Sequence, residues 1–187
     1  MTFSDYQLYF QHVINAENPV APYTDDAYLH YAKLNWSRQQ RWLKVGELHL
    51  GLSALIESIK TEQTWLVITE PWCGDAAHIV PFIDKIAQLN PLISLEIELR
   101  DAPPFQIEKY LTGTSKSIPK LVIRDEEKKD ILVWGPRPKG CQDVYDRMKA
   151  ENADFEATKL QIQSWYNLDK GKSFQQELLD ALGAVVV

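Results

Sequence analysis

The stretch TWLVITEPWCGDAAHIVPFIDKIA, residues 64–87, decides how the rest of the chain is read. Residues 65–69 are a continuous apolar run, the pattern of a buried strand. Residues 76–89 read as a helix, with Pro81 inside it, where it removes one hydrogen bond and predicts a kink. Cys73 stands at the joint. A helix N-terminus carries unsatisfied N–H groups and about half a positive charge, so a cysteine placed there has its thiolate favoured, and the thiolate is the nucleophile. Positions i and i+3 share a helix face with Cβ atoms about 5–6 Å apart, close enough for a second thiol to attack the first. That position is Ala76. The joint has the place for a pair of thiols and holds one.

Before the joint the chain reads helical. Phe3, Tyr6, Phe10, Val13 and Ile14 recur at helical spacing over residues 3–16, and NPVAPY at 18–23 breaks the pattern with two prolines. A second helix is predicted from a capping signal at Thr24 to Gly46, and a shorter one places Leu52, Leu55, Ile56 and Ile59 on one face. After the joint, LISLEIELR at 92–100 alternates as a strand does, and PPFQIEKYL reads as a short helix opened by prolines. IPKLVIRDEEKKDILVWGP, from Ile118, reads as two strands joined by a charged, solvated turn. Residues 139 to about 166 read as one helix and 173–182 as a last amphipathic one. The order strand, helix, strand, helix, strand, strand, helix implies a mixed sheet with helices on both faces.

Composition narrows the function classes. Of 187 residues, 45% are hydrophobic and 25% charged, ordinary for a globular chain. The 26 acidic and 20 basic residues give a net charge of −6, which argues against nucleic-acid or anionic-membrane binding. No apolar run reaches the roughly 18–20 residues that span a bilayer, and the start MTFSDYQLYFQ lacks a basic or apolar signal region. A cytoplasmic protein is the expectation, with both cysteines, Cys73 and Cys141, as reduced thiols.

Three features, taken in order, resemble the thioredoxin superfamily over residues 61–149. TEPWCGDA resembles the W-C-x-x-C active-site turn. SIPKLVI (117–123) resembles the segment holding that fold's cis-proline, here Pro119. DILVWGP followed by a helix resembles its last strand and glycine. The wider chain resembles a bacterial thioredoxin-like subgroup with a W-C-G-D-x turn and a helical N-terminal extension. The resemblance implies an α/β thioredoxin-like fold, with residues 1–60 as a helical extension packed on the core and 61–187 as the thioredoxin-like domain with its C-terminal helices. Two positions depart from the pattern: Ala76 replaces the second cysteine, and Val67 stands where a thioredoxin buries an acid in the strand.

The expected site follows. Cys73 is the candidate catalytic thiol. Trp72 offers an apolar rim, and Asp75 either tunes the thiol, binds a substrate amine or serves as helix first-turn charge. Ile118 and Pro119 would pair with an extended substrate. Glu70 is read as solvent-facing. His78 lies about 500° around the helix from Cys73, so it is read as a surface or packing residue. Cys73, Asp75 and His78 have no standard ligand spacing, and no metal is expected. Cys141 is an unfavoured resolving thiol. Tyr28, Tyr31, Trp36 and Trp42 read as core packing. The expected function is monothiol mixed-disulfide chemistry on a protein or small-molecule disulfide or thiol substrate. It needs no bound cofactor, and a low-molecular-weight thiol acts as co-substrate. The alternative is a peptide-binding or protein-binding module that kept the fold and lost turnover.

Overall fold

The computed structural model describes residues 1–186. Its helices begin where the sequence offers caps. In α1 (Phe3–Asn15) the Thr2 hydroxyl accepts from the Asp5 N–H and the Asp5 carboxylate accepts from the Thr2 N–H, a reciprocal capping box. Tyr6, Phe10 and Val13 are its buried stripe. For α2 (Asp26–Val45) the cap is Asp25, one residue beyond the expected Thr24, because its carboxylate takes the Ala27 N–H. Helix α3 (Leu50–Ser58) starts on the His49 ring, which accepts from Leu52 N–H.

The sheet has four strands in the order β2-β1-β3-β4, with β1 (Gln63–Thr69) parallel to β2 (Ile93–Leu99) and antiparallel to β3 (Lys120–Arg124). Strand β4 (Asp130–Trp134) closes an antiparallel hairpin with β3. Every residue of β1 is buried, so both faces of the central strand are covered. That is why its middle, Trp65 to Ile68, is continuously apolar where β2, with one covered face, alternates.

Helix α4 (Gly74–Ala87) follows β1 and is itself almost entirely buried, packed against α2. The α/β class and the mixed sheet flanked by helices agree with the sequence reading. Two elements differ. Residues 139–166 form two helices, α5 (Lys139–Ala150) and α6 (Phe155–Asp169), because Asn152 turns left-handed and Asp154 caps a new start through Ala157 N–H. The segment after the Pro103-Pro104 pair makes only a 3-10 turn, Gln106–Lys109. Helix α7 (Lys172–Val186) packs on α3 and β4.

The N-terminal helices share one core with the sheet. Tyr6, Phe10, Tyr23, Trp42, Leu52 and Ile56 belong to the same buried cluster as Trp65, Ile79, Ile83 and Leu121. Of the other aromatics expected to pack, Trp36 lies partly buried against Phe10, while Tyr28 is 41% exposed. Gly135, at φ +121°, is a turn residue whose lack of a side chain decides packing beside the cis-proline. A Cβ there would collide with the Pro119 carbonyl oxygen.

Candidate functional site

Cys73 caps α4 with extended backbone, and no side chain takes part in the cap. Its amide donates to Glu70 O at 3.1 Å, closing the turn out of β1. The thiol donates to Ile118 O at 3.3 Å, and the Ile118–Pro119 bond is cis. The geometry therefore brings Trp72, Cys73, Asp75, Ile118 and Pro119 to one end of the sheet, where β1 runs into α4 and β3 begins.

The thiol is not set up as a resting thiolate. Cys73 is only 6% exposed. Burial pushes it up to about 12, helped by the Asp75 charge and opposed by the Ala76 and Asp75 N–H groups and by Arg137. The helix end does act on the thiol as expected, but desolvation outweighs it. Ala76 is also buried, and a sulfur is absent from the i+3 place.

Asp75 is fully engaged. Its carboxylate accepts from Arg137 Nη2 at 2.6 Å and from the Tyr166 hydroxyl at 2.8 Å. This leaves no free lobe for a substrate amine. The partnership ties the first turn of α4 to the loop after β4 and to α6. Burial lowers the basicity of Arg137, and the Asp75 charge more than reverses this. Cys141, in the first turn of α5, is completely buried. Burial, then the Asp75 charge, pushes its thiol up to about 12, and a Tyr166 hydrogen bond opposes them.

Trp72 is half-buried. The Arg100 guanidinium lies 4.5 Å from its ring centre and Tyr28 meets it edge-on at 5.8 Å, while its indole N–H is buried without a partner. Glu70 departs from its reading: it is 5% exposed, not solvent-facing, because α1 and the loop to α2 cover it. Burial pushes its carboxyl up to about 7, opposed by the Asp101 N–H that donates to Oε1 at 3.0 Å. Asn35 of α2 reaches Pro71 O at 3.0 Å and braces the turn from the N-terminal side.

His78 points away from Cys73 and is a packing residue. Trp42 Nε1–H donates to its Nδ1 at 2.8 Å, so Nε2 carries the proton and faces Gln163 Oε1 at 3.1 Å. The ring stacks on Tyr166 at 4.4 Å. Burial lowers it to about 4, opposed by the Gln163 bond. Among the described residues no cluster of three or more His, Cys, Asp or Glu side chains could hold a metal ion. None of their helices is long and apolar enough to cross a membrane. A groove of about 670 Å³ lies elsewhere, between the end of α2 and the start of α7, with Trp42, His49 and Lys172 on its walls.

Arg137, Tyr166 and Asn35 escaped the sequence reading. Each arrives from a distant element, and no spacing pattern links it to Cys73.

The profile of the family described as thioredoxin matches residues 21–149. No curated protein matches the chain. Among solved structures, an HIV epitope-scaffold is similar with a TM-score of 0.57 and 16% identity, over 98% of this chain and 99% of that one. A protein of unknown function from Pseudomonas aeruginosa is similar with a TM-score of 0.50 and 18% identity, over 92% of this chain and 99% of that one. The NTD_N/C domain of the alkylhydroperoxide reductase AhpF from Enterococcus faecalis gives a TM-score of 0.40 and 20% identity, over 58% of this chain and 47% of that one. With the family profile covering well over half of its length, the chain belongs to the thioredoxin family.

Proposed function

We propose that this protein carries out thiol–disulfide exchange through one cysteine, Cys73, in a cytoplasmic setting. Its family and fold support a thiol–disulfide-related function in general. The observation that carries the single-thiol reading is the cap of α4. Cys73 occupies it beside the Ile118 carbonyl, and Ala76 fills the position of a resolving partner. In the exchange, Cys73 Sγ attacks one sulfur of a protein or small-molecule disulfide. A new S–S bond forms, the old one breaks, and the departing thiolate takes up a proton. A low-molecular-weight thiol then attacks the mixed disulfide and frees Cys73. The reading needs no bound cofactor. Ile118, Pro119 and Trp72 flank the thiol and would hold the substrate chain in extended form.

The burial of Cys73 and its raised thiol favour a second reading, a binding module that keeps the groove without turnover. Incubation with glutathione disulfide separates the two. Single-thiol exchange gives a mass increase located at Cys73, absent in Cys73→Ser, with near-zero insulin reduction. If Cys73 resists every disulfide in the native state, the binding module takes its place.

A further inference from the structure

The groove of about 670 Å³ between the end of α2 and the start of α7 plays no part in the exchange reaction, and its walls share no residue with the thiol site. Its volume is that of a small-molecule pocket. Gln175, only 2% exposed, clasps its two sides together. The Gln175 Oε1 accepts from the His49 N–H at 2.7 Å, and its Nε2 donates to Glu47 O at 3.1 Å and Gly171 O at 3.3 Å. A buried amide satisfied at both ends fixes the spacing of the α2–α3 connection and the start of α7, so the groove is preformed.

The walls are rich in donors. Arg41, Lys170 and Lys172 line the groove, and among its described wall residues Glu47 is the one carboxylate. This excess of cations runs against the chain's net charge of −6. Lys116 and Lys159 elsewhere each pair with a glutamate, whereas no described residue forms an ion pair with Lys170 or Lys172. Asp169, next in the chain to Lys170, turns its carboxylate onto the Ser173 N–H at 3.1 Å and is taken up by the start of α7. The Arg41 guanidinium lies 4.6 Å from the Trp42 ring centre and gives Nη1 to Asn167 Oδ1 at 3.1 Å. Both contacts set its plane and leave Nε and Nη2 as a fork. The His49 Nδ1 accepts the Leu52 N–H at 3.2 Å, so Nε2 carries the proton and is a further donor. Val45 and Leu48 add an apolar stretch of wall.

We infer that this groove binds a small phosphate monoester, with Arg41, His49, Lys170 and Lys172 on the phosphate and the organic body along Val45 and Leu48. Three cations against one carboxylate leave two positive charges in excess, close to the charge that a phosphate monoester carries at neutral pH. An arginine fork beside two ammonium groups suits phosphate oxygens. The groove is far larger than a phosphate group, which leaves room for the body it esterifies.

The test is a titration of the isotope-labelled full chain with phenyl phosphate, read by amide chemical shifts, with inorganic phosphate and citrate as comparisons. Phenyl phosphate should give saturable shifts at residues 46–49 and 170–173. Its affinity should fall about tenfold in Lys170→Gln/Lys172→Gln, which loses two exposed charge contacts, and should fall in the wild type as salt is raised to about 0.5 M. Inorganic phosphate, without the organic body, and citrate should both bind more weakly. No saturable shift up to about 10 mM phenyl phosphate, shifts confined to other residues, or a double variant that binds as tightly as the wild type would overturn the site. Inorganic phosphate or citrate binding as tightly as phenyl phosphate would overturn the assignment to a monoester. Should the double variant not fold, a wild-type affinity indifferent to salt overturns the proposal alone. Every one of these outcomes leaves the thiol reading as it stands.

Discussion

Arg137 Nη2 and Asp75 Oδ2 meet at 2.6 Å, with the arginine side chain 17% and the aspartate side chain 11% exposed. The pair joins the loop after β4 to the first turn of α4, one turn from the thiol. Breaking it from one side strands a buried charge, so Arg137→Ala should cost about 3 kcal/mol or more of stability. It should also slow thiol modification, because Arg137 favours the Cys73 thiolate. Asp75→Asn strands the Arg137 charge in the same way and should also be destabilised, but it keeps the Tyr166 bond and lowers the Cys73 pKa, because the Asp75 charge raises it. Urea unfolding and thiol-reaction rates check both; thiol rates shifted in the same direction by the two variants would contradict this account.

Two buried groups pull stability in opposite directions with pH. The unfolded His78 imidazole protonates near pH 6.5, and the folded one waits until about 4. The unfolded chain therefore binds more protons in that window, and stability falls as pH drops through it, by about 3 kcal/mol in all. Glu70 is raised to about 7, so its contribution is full below the ordinary carboxylate value and is lost as pH rises towards 7. Wild-type stability should vary little between pH 4.5 and 6.5. Glu70→Gln should expose the His78 slope. Parallel stability–pH curves for the two proteins would refute the assignment.

Ala76→Cys restores a sulfur one turn from Cys73. The helix already fixes the spacing at about 5–6 Å between Cβ atoms, and alanine to cysteine adds one atom at a buried site. The variant should gain dithiol insulin reduction over a near-zero wild type without a change in circular dichroism. A wild type that reduces insulin at a normal dithiol rate would mean that Cys141 resolves Cys73.

Gly135→Ala should destabilise by more than about 1 kcal/mol and disturb the thiol site. The residue sits at φ +121°, and its new Cβ would collide with the Pro119 carbonyl oxygen. Thermal melting and the Cys73 reaction rate read the two effects. A variant as stable and as reactive as the wild type would show that the loop relaxes freely.

A fragment beginning at residue 61 should be insoluble or partly unfolded. It would lose Tyr6, Phe10, Trp42 and Ile56 from the shared core, each worth about 1.5–3 kcal/mol of burial. It would also lose the Asn35 brace on Pro71. A soluble fragment that melts cooperatively would make residues 1–60 a separate module.

The sequence by itself determined the frame. The apolar run of β1, the alternation of β2 and the charged hairpin turn made an α/β sheet legible, because strand and helix periods are local properties. The place of Cys73 at the head of α4 and the missing partner at Ala76 were legible for the same reason. Tertiary structure decided what the residues around the thiol do. Glu70 looked solvent-facing until α1 and its following loop covered it. Asp75 looked like a free first-turn charge until Arg137 and Tyr166 arrived from distant elements. Cys73 itself looked like a ready thiolate, since the helix end is written in the chain, but the desolvation that outweighs it is not. Burial depends on everything that packs around a group, and no local pattern of residues encodes it.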